Sequence, residues 1–353
     1  MEGQSTLFHM WSIPYGPRRR KAVMTKMNIQ MMNNPWINIL PASERIYSLR
    51  VNAEHPLDWF WSQDHSGRHV IFCDQIEIPV EIRLPEVMGL ENFVFQSSYG
   101  TKLKQLMLVL RDNANWELFY SLCMDLVRAT GSANRSNAIR AIVRRLQKWQ
   151  AFLKKDRQDM LSKEQIKGLL GELVFIEQHL AKKYGYANAI QFWTGPTGTP
   201  QDFCLEDMVV EVKTQLSSTK PEVHISSAEQ LSCQANHLYL FVATLGKGID
   251  DSPSTVSLRS IISIIQDGLL PFPEELELFQ DLLLATGYVD SSSYDPCMYT
   301  LIRTATYEVK DGFPRITVDD LPAGILKLNY SISLATCDHY KSCDGWIGDN
   351  THD

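Results

Sequence analysis

Three side chains in one short stretch, Asp202, Glu211 and Lys213, are of the types and spacing that bind a divalent ion and act on a phosphate. They lie in Gln201-Asp-Phe-Cys-Leu-Glu-Asp-Met-Val-Val-Glu-Val-Lys213, which reads as a β-hairpin turning at Glu206-Asp207. With that turn Leu205 faces Met208, Phe203 faces Val210 and Asp202 faces Glu211, and directly opposed residues share a face of the ladder. Strand alternation puts Lys213 on the same face as Glu211. Two opposed carboxylates repel each other and weaken a sheet, unless a cation sits between them. Mg²⁺, or Mn²⁺ in its place, suits such hard oxygen ligands and keeps several waters. The carbonyl of Val212, between the two side chains, could complete the shell. An ion held this way acidifies a water and offsets charge building on a phosphate. A lysine beside it can orient that water or neutralise the phosphate oxygens.

Other candidates are weaker. Glu308-Val-Lys310, with Asp295 upstream, repeats the residue types, but a turn, Asp311-Gly-Phe-Pro, follows it. The first stretch is instead preceded by an amphipathic helix and followed by a strand, a helix and a strongly apolar strand. Cys337-Asp-His339 with Cys343 matches no standard zinc spacing. His65 and His69 fall in a polar stretch and read as two solvated histidines. Between Arg135 and Lys167 stand ten Lys or Arg against three Asp or Glu, a local +7 in a chain of net charge −7. Within that stretch Arg140, Arg144, Arg145 and Lys148 share the polar face of a helix, with Lys154, Lys155 and Arg157 at its end. A solvated face is the plainer reading; the position just before the carboxylates favours contact with a nucleic-acid backbone.

The elements that would position these groups follow from periodicity. Ile139, Ile142, Val143, Leu146, Trp149 and Leu153 mark a helix over about 136–157. Ser162 and Gln165 form a capping-box pattern that opens the next helix, which ends near Gly185. Two acids on that helix compete for a role: Glu172 on the flank of its apolar stripe and Glu177 in the middle of it. Further along, His224-Ile225 reads as a strand, Ala228–Gln234 as a helix and His237–Thr244 as a buried strand. Helices follow near Leu258–Gln266 and Pro273–Thr286, then long strands at Tyr299–Lys310 and Ile325–Leu334. Upstream, short strands are expected at Ile46–Val51, His69–Cys73, Ile76–Ile82 and Leu106–Leu110, then a helix at Trp116–Ala129.

The 353 residues suffice for one large domain or two to three smaller ones, and the 44% apolar and 21% charged fractions are those of a globular chain. No run approaches the roughly 20 apolar residues of a membrane helix. No signal peptide is evident at the N-terminus, and seven cysteines without a C-x-x-C pair point to a reducing, cytoplasmic setting. Residues 1–30 read as a flexible tail, with Met24, Met27, Met31 and Met32 as alternative starts. The expected organisation is that tail, a β-rich region at 31–130, a basic helical connector at 131–160, a core at 161–247 and an α/β segment at 248–353.

Several short motifs stand together in order: Gly168-Leu-Leu-Gly-Glu172, Phe192-Trp-Thr-Gly-Pro196, Gln201-Asp-Phe, Val210-Glu-Val-Lys213 and His224-Ile-Ser-Ser-Ala-Glu-Gln-Leu231. Phe313-Pro-Arg-Ile316 and Leu321-Pro-Ala-Gly-Ile325 follow. From about Trp36 to Leu334 the chain resembles a bacterial family of PD-(D/E)XK nucleases associated with restriction and phage-defence gene clusters. The resemblance implies an α/β fold: a restriction-endonuclease-like mixed sheet flanked by helices. It implies catalytic roles for Glu172, Asp202, Glu211 and Lys213, with Glu172 preferred over Glu177 as the helix-borne acid. Gln201 stands where the superfamily's name has proline, and Gln230 is placed to touch the site or DNA. The implied activity is Mg²⁺-dependent cleavage of DNA alongside other proteins of such a cluster, with self-association left open. The alternative is a catalytically silent subunit that binds DNA or protein through the same fold; the intact Asp/Glu/Lys set argues for the enzyme.

Overall fold

Runs of β-branched and aromatic residues build the first sheet. The computed structural model describes residues 34–43, 46–97, 102–154, 161–232, 235–248 and 255–342. Contacts divide the chain into two units, Met1–Asp159 with Val289–Ser292, and Met160–Tyr288 with Ser293–Asp353. In the first, β1 (Ser48–Arg50), β2 (Asp58–Gln63), β3 (His69–Glu77), β4 (Leu90–Gln96) and β5 (Leu103–Leu110) form an antiparallel sheet in the order β1-β2-β3-β5-β4. Both faces of β3 are covered: Val70 and Phe72 pack with Met107 and Val109, while Ile71 and Cys73 on the other face are fully buried. Such a strand reads as an unbroken apolar run.

The strand expected at Ile76–Ile82 does not form separately. Ile76 and Glu77 belong to β3, beyond a bulge where Gln75 takes φ 58°. The Asp74 carboxylate accepts the Gln75 N–H at 2.9 Å and the Ser97 hydroxyl at 3.0 Å, which holds the bulge. Pro79 then removes a ladder donor. His69 corrects the solvated reading: it is buried and stacks on Trp36 at 4.6 Å, and burial lowers its pKa. His65 is exposed, its Nδ1 2.8 Å from the Ala42 carbonyl.

Two helices complete this unit, α1 (Trp116–Ala129) and α2 (Ala138–Leu153). Arg140 and Arg144 of α2 are exposed and Lys148 is partly so. Arg145 is not on that surface, which corrects its assignment as a nucleic-acid contact: it is 1% exposed, and its Nε and Nη2 each donate to Asp125 at 2.8 Å. On a 3.6-residue period Arg145 falls one turn before Trp149, on the buried side, and Trp149 also donates to Asp125. Lys155 and Arg157 lie outside the described residues.

The second unit begins with α3 (Lys163–Phe175), whose Ser162/Gln165 capping box is formed in both directions. A π turn at Ile176–Leu180 leads into α4 (Ala181–Gln191), in which Gly185, at φ 76° and ψ 160°, breaks the helical backbone where the helix was expected to end; a second helical segment follows across the kink. Then come β6 (Phe203–Cys204), β7 (Met208–Leu216), β8 (Glu222–Ile225), β9 (His237–Lys247), β10 (Thr255–Val256), α5 (Leu258–Leu269), α6 (Pro273–Thr286), β11 (Tyr299–Glu308) and β12 (Tyr330–Ser333). The main sheet has the order β10-β11-β9-β7-β6; β7 and β9 are parallel and the other pairs antiparallel. It is the mixed sheet flanked by helices that was expected.

Leu169, Leu173 and Phe175 of α3 pack on Val210, Phe203 and Phe241 on one face, with Ile261, Ile265 and Phe279 of α5 and α6. Each such side chain contributes roughly 1.5–3 kcal/mol on burial. Val209, Leu240, Val242 and Tyr307 face the other way, onto β8 and β12. The strand expected at Ile325–Leu334 shrinks to β12, because β8, its ladder partner among the described residues, is four residues long. The helix expected at Ala228–Gln234 is a single 3₁₀ turn, Ala228–Leu231; residue 234 is not among those described. Among the described residues no helix is long and apolar enough to cross a membrane.

Candidate active site

The hairpin of β6 and β7 has the register read from sequence. Phe203 pairs with Val210 and Cys204 with Val209, and the Leu205 N–H donates to the Met208 carbonyl at 2.8 Å. Asp202 leaves the ladder just before β6. Its Oδ2 accepts the Val212 N–H at 2.7 Å, and its carbonyl accepts the N–H groups of Thr194 and Gly195 at 3.0 and 2.9 Å. Gly195 is required there, because a Cβ would lie 2.9 Å from Asp202 Oδ1 and 3.1 Å from its Cα.

Glu211 is 1% exposed, with Lys213 Nζ 2.7 Å from its Oε1. Its Oε2 is buried without a hydrogen-bond partner. Lys213 also reaches Gln230 Oε1 at 3.3 Å, and the Ser226 N–H donates to that oxygen at 2.8 Å. Glu172 arrives from α3. Gly171 beside it lets the helix close on β7: a Cβ at Gly171 would stand 2.4 Å from Thr214 Cγ2. Trp193 Nε1 then donates to Glu172 Oε2 at 2.7 Å.

These carboxyls share one electrostatic environment. Burial pushes Glu211 up to about 8, the Asp202 charge adds to that, and Lys213 offsets part of it. Burial raises Asp202 to about 6 against the pull of the Val212 N–H and Lys213. Glu172 stands well above the ordinary carboxylate range through burial first and Asp202 second, and the Trp193 N–H counters them in part. Burial is the largest cause at all three, and the Asp202 charge adds to it at Glu211 and Glu172.

The donor set suits a divalent ion with hard-oxygen preference. Glu211 offers a buried oxygen that nothing else uses, and Asp202 keeps Oδ1 beside the one held by Val212. Among the described residues no group of three or more His, Cys, Asp or Glu side chains is arranged to hold a metal ion. The protein ligands would therefore be Asp202, Glu211 and the Val212 carbonyl, with waters filling the shell as Mg²⁺ prefers.

Residues 32–335 match the model of a family described as "Putative PD-(D/E)XK family member, (DUF4420)". The chain belongs to this family. No curated protein and no solved structure matched it. PD-(D/E)XK proteins that are nucleases typically use divalent metals.

Glu172, Asp202, Glu211 and Lys213 are thus brought together, with Gln230 against the lysine and Val212 against the aspartate. Glu177 is elsewhere: it lies on the π turn, where its charge helps raise the Tyr186 hydroxyl. The rival pair also comes apart, since Asp295 binds Arg259 at 2.7 Å while Lys310 folds back on Glu308 at 2.6 Å. Arg140, Arg144 and Lys148 belong to the first unit. Sequence reasoning missed Trp193, Gly171, Gly195 and the work of Gln201. Gln201 is buried, and its Nε2 donates to the Glu229 carbonyl at 2.7 Å and to that of Ser232 at 3.1 Å. It thereby ties the Asp202 segment to the turn that carries Gln230. The signal was a polar residue directly before a candidate ligand, where a buried amide must have partners.

Proposed function

We propose that the protein is a divalent-metal-dependent nuclease that hydrolyses DNA phosphodiester bonds at Asp202, Glu211 and Lys213. The observation that carries this is the buried Glu211 carboxylate with one unpartnered oxygen, set beside a second acid and a lysine. A fold does not retain such a group for stability, because an uncompensated buried charge is costly. The Glu211 and Asp202 carboxylates, with the Val212 carbonyl, would hold Mg²⁺ or Mn²⁺. When bound there, the ion supplies Lewis-acid stabilisation of the phosphate and an acidified water.

The chain's own groups do the rest. The Val212 N–H fixes one Asp202 oxygen, so the other keeps one direction. Gln230, oriented by the Ser226 N–H, and Glu211 hold the Lys213 ammonium between them. There it faces the oxygens that gain charge as the phosphate is attacked, without first having to be drawn into place. Glu172, whose Oε2 accepts the Trp193 indole N–H, would accept a hydrogen bond from a water at the same site. Arg140 and Arg144, both exposed, and the partly exposed Lys148 are the proposed contacts to the DNA backbone. An association with other proteins of a restriction or defence cluster rests on the resemblance alone.

Calorimetric titration with Mn²⁺ tests the site. Wild type should bind with an affinity that Asp202→Asn weakens sharply, and labelled DNA should be cut only when the ion is present. Equal binding by both proteins would sink the assignment.

A further inference from the structure

On the face of β7 that carries Glu211 and Lys213, the next residue is Gln215, which the mechanism above does not use. The ladders place Gln215 beside Thr244 of β9 and Thr244 opposite Arg303 of β11. A polar row therefore crosses three strands one step beyond Lys213. The rows before it on this face, Lys213–Val242–Ala305 and Glu211–Leu240–Tyr307, are apolar on β9 and β11 apart from a tyrosine hydroxyl.

The arginine is there because the ladder slips. Leu301 pairs with Leu245, but Thr244 pairs with Arg303, so Ile302 is an extra, bulged residue. Without the bulge Ile302 would stand in the row; bulges commonly re-aim a side chain beside an active site. Arg303 is exposed and makes no ion pair among the described residues.

The other two members of the row are buried and polar. Gln215 is 8% exposed and Thr244 4%. Gln215 Nε2 donates to Thr244 Oγ1 at 3.0 Å, and its Oε1 has no partner. All three residues line a cleft of about 350 Å³, with Ser217 and Thr219 on its wall. A buried amide that leaves an oxygen unbonded beside a cleft is an acceptor waiting for a donor.

We propose that this cleft is a nucleotide subsite: Arg303 holds a backbone phosphate of the bound strand and Gln215 reads the edge of an adjacent base. The inference rests on the nuclease reading and extends it to substrate selection. A strand rises about 3.4 Å per residue, so the row lies about 7 Å beyond Lys213, within reach of a nucleotide flanking the scissile bond. The unbonded Gln215 oxygen favours a base presenting an amino group, as adenine does at N6 and cytosine at N4.

The test compares the full chain with Arg303→Gln and Gln215→Met. Arg303 is exposed, so its variant keeps the fold; Gln215→Met keeps the volume and removes the unbonded amide. Binding of fluorescein-labelled oligonucleotides is measured against salt, and a randomised pool is sequenced both after selection for binding and after cleavage. Arg303→Gln should weaken binding several-fold and reduce the salt slope by roughly one unit. Gln215→Met should bind about as well as wild type and lose a base preference at one position a fixed distance from the cut. Cleavage with affinity, salt slope and preference unchanged in both variants overturns the subsite and leaves the nuclease reading standing. Oligonucleotide binding that both variants alter, without any cleavage, supports the subsite and overturns the catalytic reading. A wild type that binds no nucleic acid overturns both.

Discussion

Among the described residues, one buried acid–base pair in each unit can be set against the other, and the two pairs are built differently. In the first, Asp125 receives the Nε and Nη2 of Arg145 and the indole N–H of Trp149, all at 2.8 Å. Its charge is cancelled by a two-pronged partner and its lone pairs are taken up. In the second, Glu211 has a single lysine contact at 2.7 Å, one oxygen with nothing bound to it, and two further acids close by. The contrast separates a charge that belongs to the fold from one held ready for a ligand. Both acids are buried, so burial does not identify a functional acid. Incomplete compensation does.

The comparison is most easily broken at the satisfied pair. Arg145→Ala leaves Asp125 buried without its counter-charge and should cost about 3–5 kcal/mol in chemical denaturation. A loss under 1 kcal/mol would mean that Asp125 reaches water and that the two pairs are not distinct in kind. At the other pair, Lys213→Ala should slow DNA cleavage by about 10²–10³-fold, as expected for one lost contact to the transition-state charge. At neutral pH its thermal midpoint should stay near that of wild type, because Glu211, already raised to about 8, takes up a proton once the lysine is gone. A collapse of the fold instead would class Lys213 with Arg145.

Glu211→Gln sharpens the same point with the opposite sign. It replaces a buried acid whose ionisation Asp202 opposes while preserving shape, so above pH 8, where Glu211 is ionised, the metal-free protein should gain roughly 1 kcal/mol or more. Cleavage should be lost, because a neutral amide is a poor ligand for a hard cation. A metal-free variant less stable than wild type would show that Glu211 and Lys213 stabilise the fold after all.

How much of this was legible in the sequence depended on range. The hairpin register followed from a two-residue turn and strict alternation, so Phe203 opposite Val210 could be read directly. The helix at Pro273–Thr286 and the Ser162 capping box are equally local signals. Strands β2 and β4 were missed, since Asp58–Gln63 and Leu90–Gln96 mix polar and apolar residues and owe their state to the strands beside them. Arg145 was misassigned because composition counts charges without saying which of them meets an acid twenty residues away. Trp193, and the partners of Gln201, were hidden for a related reason. Neither Trp193 nor Gln201 holds a ligand or moves a proton; each fixes a group that could, through a contact between segments that only the tertiary fold brings together.

The exposed and buried basic residues of α2 make a smaller contrast. Replacing Arg140, Arg144 and Lys148 together by Gln should leave stability almost unchanged and lower the salt slope of DNA binding by up to about three units, roughly one per phosphate contact. An unchanged slope would assign this surface to solvent.

The smallest effect is expected at the second Glu-x-Lys of the same sheet. Glu308 and Lys310 repeat the residue types and spacing of Glu211 and Lys213, and their contact, at 2.6 Å, is as short. Their surroundings differ. Lys310 is 57% exposed and Glu308 31%, and the acid that could have completed the set, Asp295, is engaged by Arg259. The pair raises the Lys310 pKa, as any exposed ion pair does, and water screens the rest. Lys310→Ala should therefore change neither cleavage rate nor Mn²⁺ affinity, and its melting curve should overlay that of wild type. Side-by-side assay with Lys213→Ala is the informative design, because the two substitutions are chemically identical and differ only in what surrounds the lysine. A loss of cleavage at Lys310 with none at Lys213 would move the active site to β11. Equal losses at both would show that the residue pattern, and not its burial against unpartnered acids, carries the chemistry.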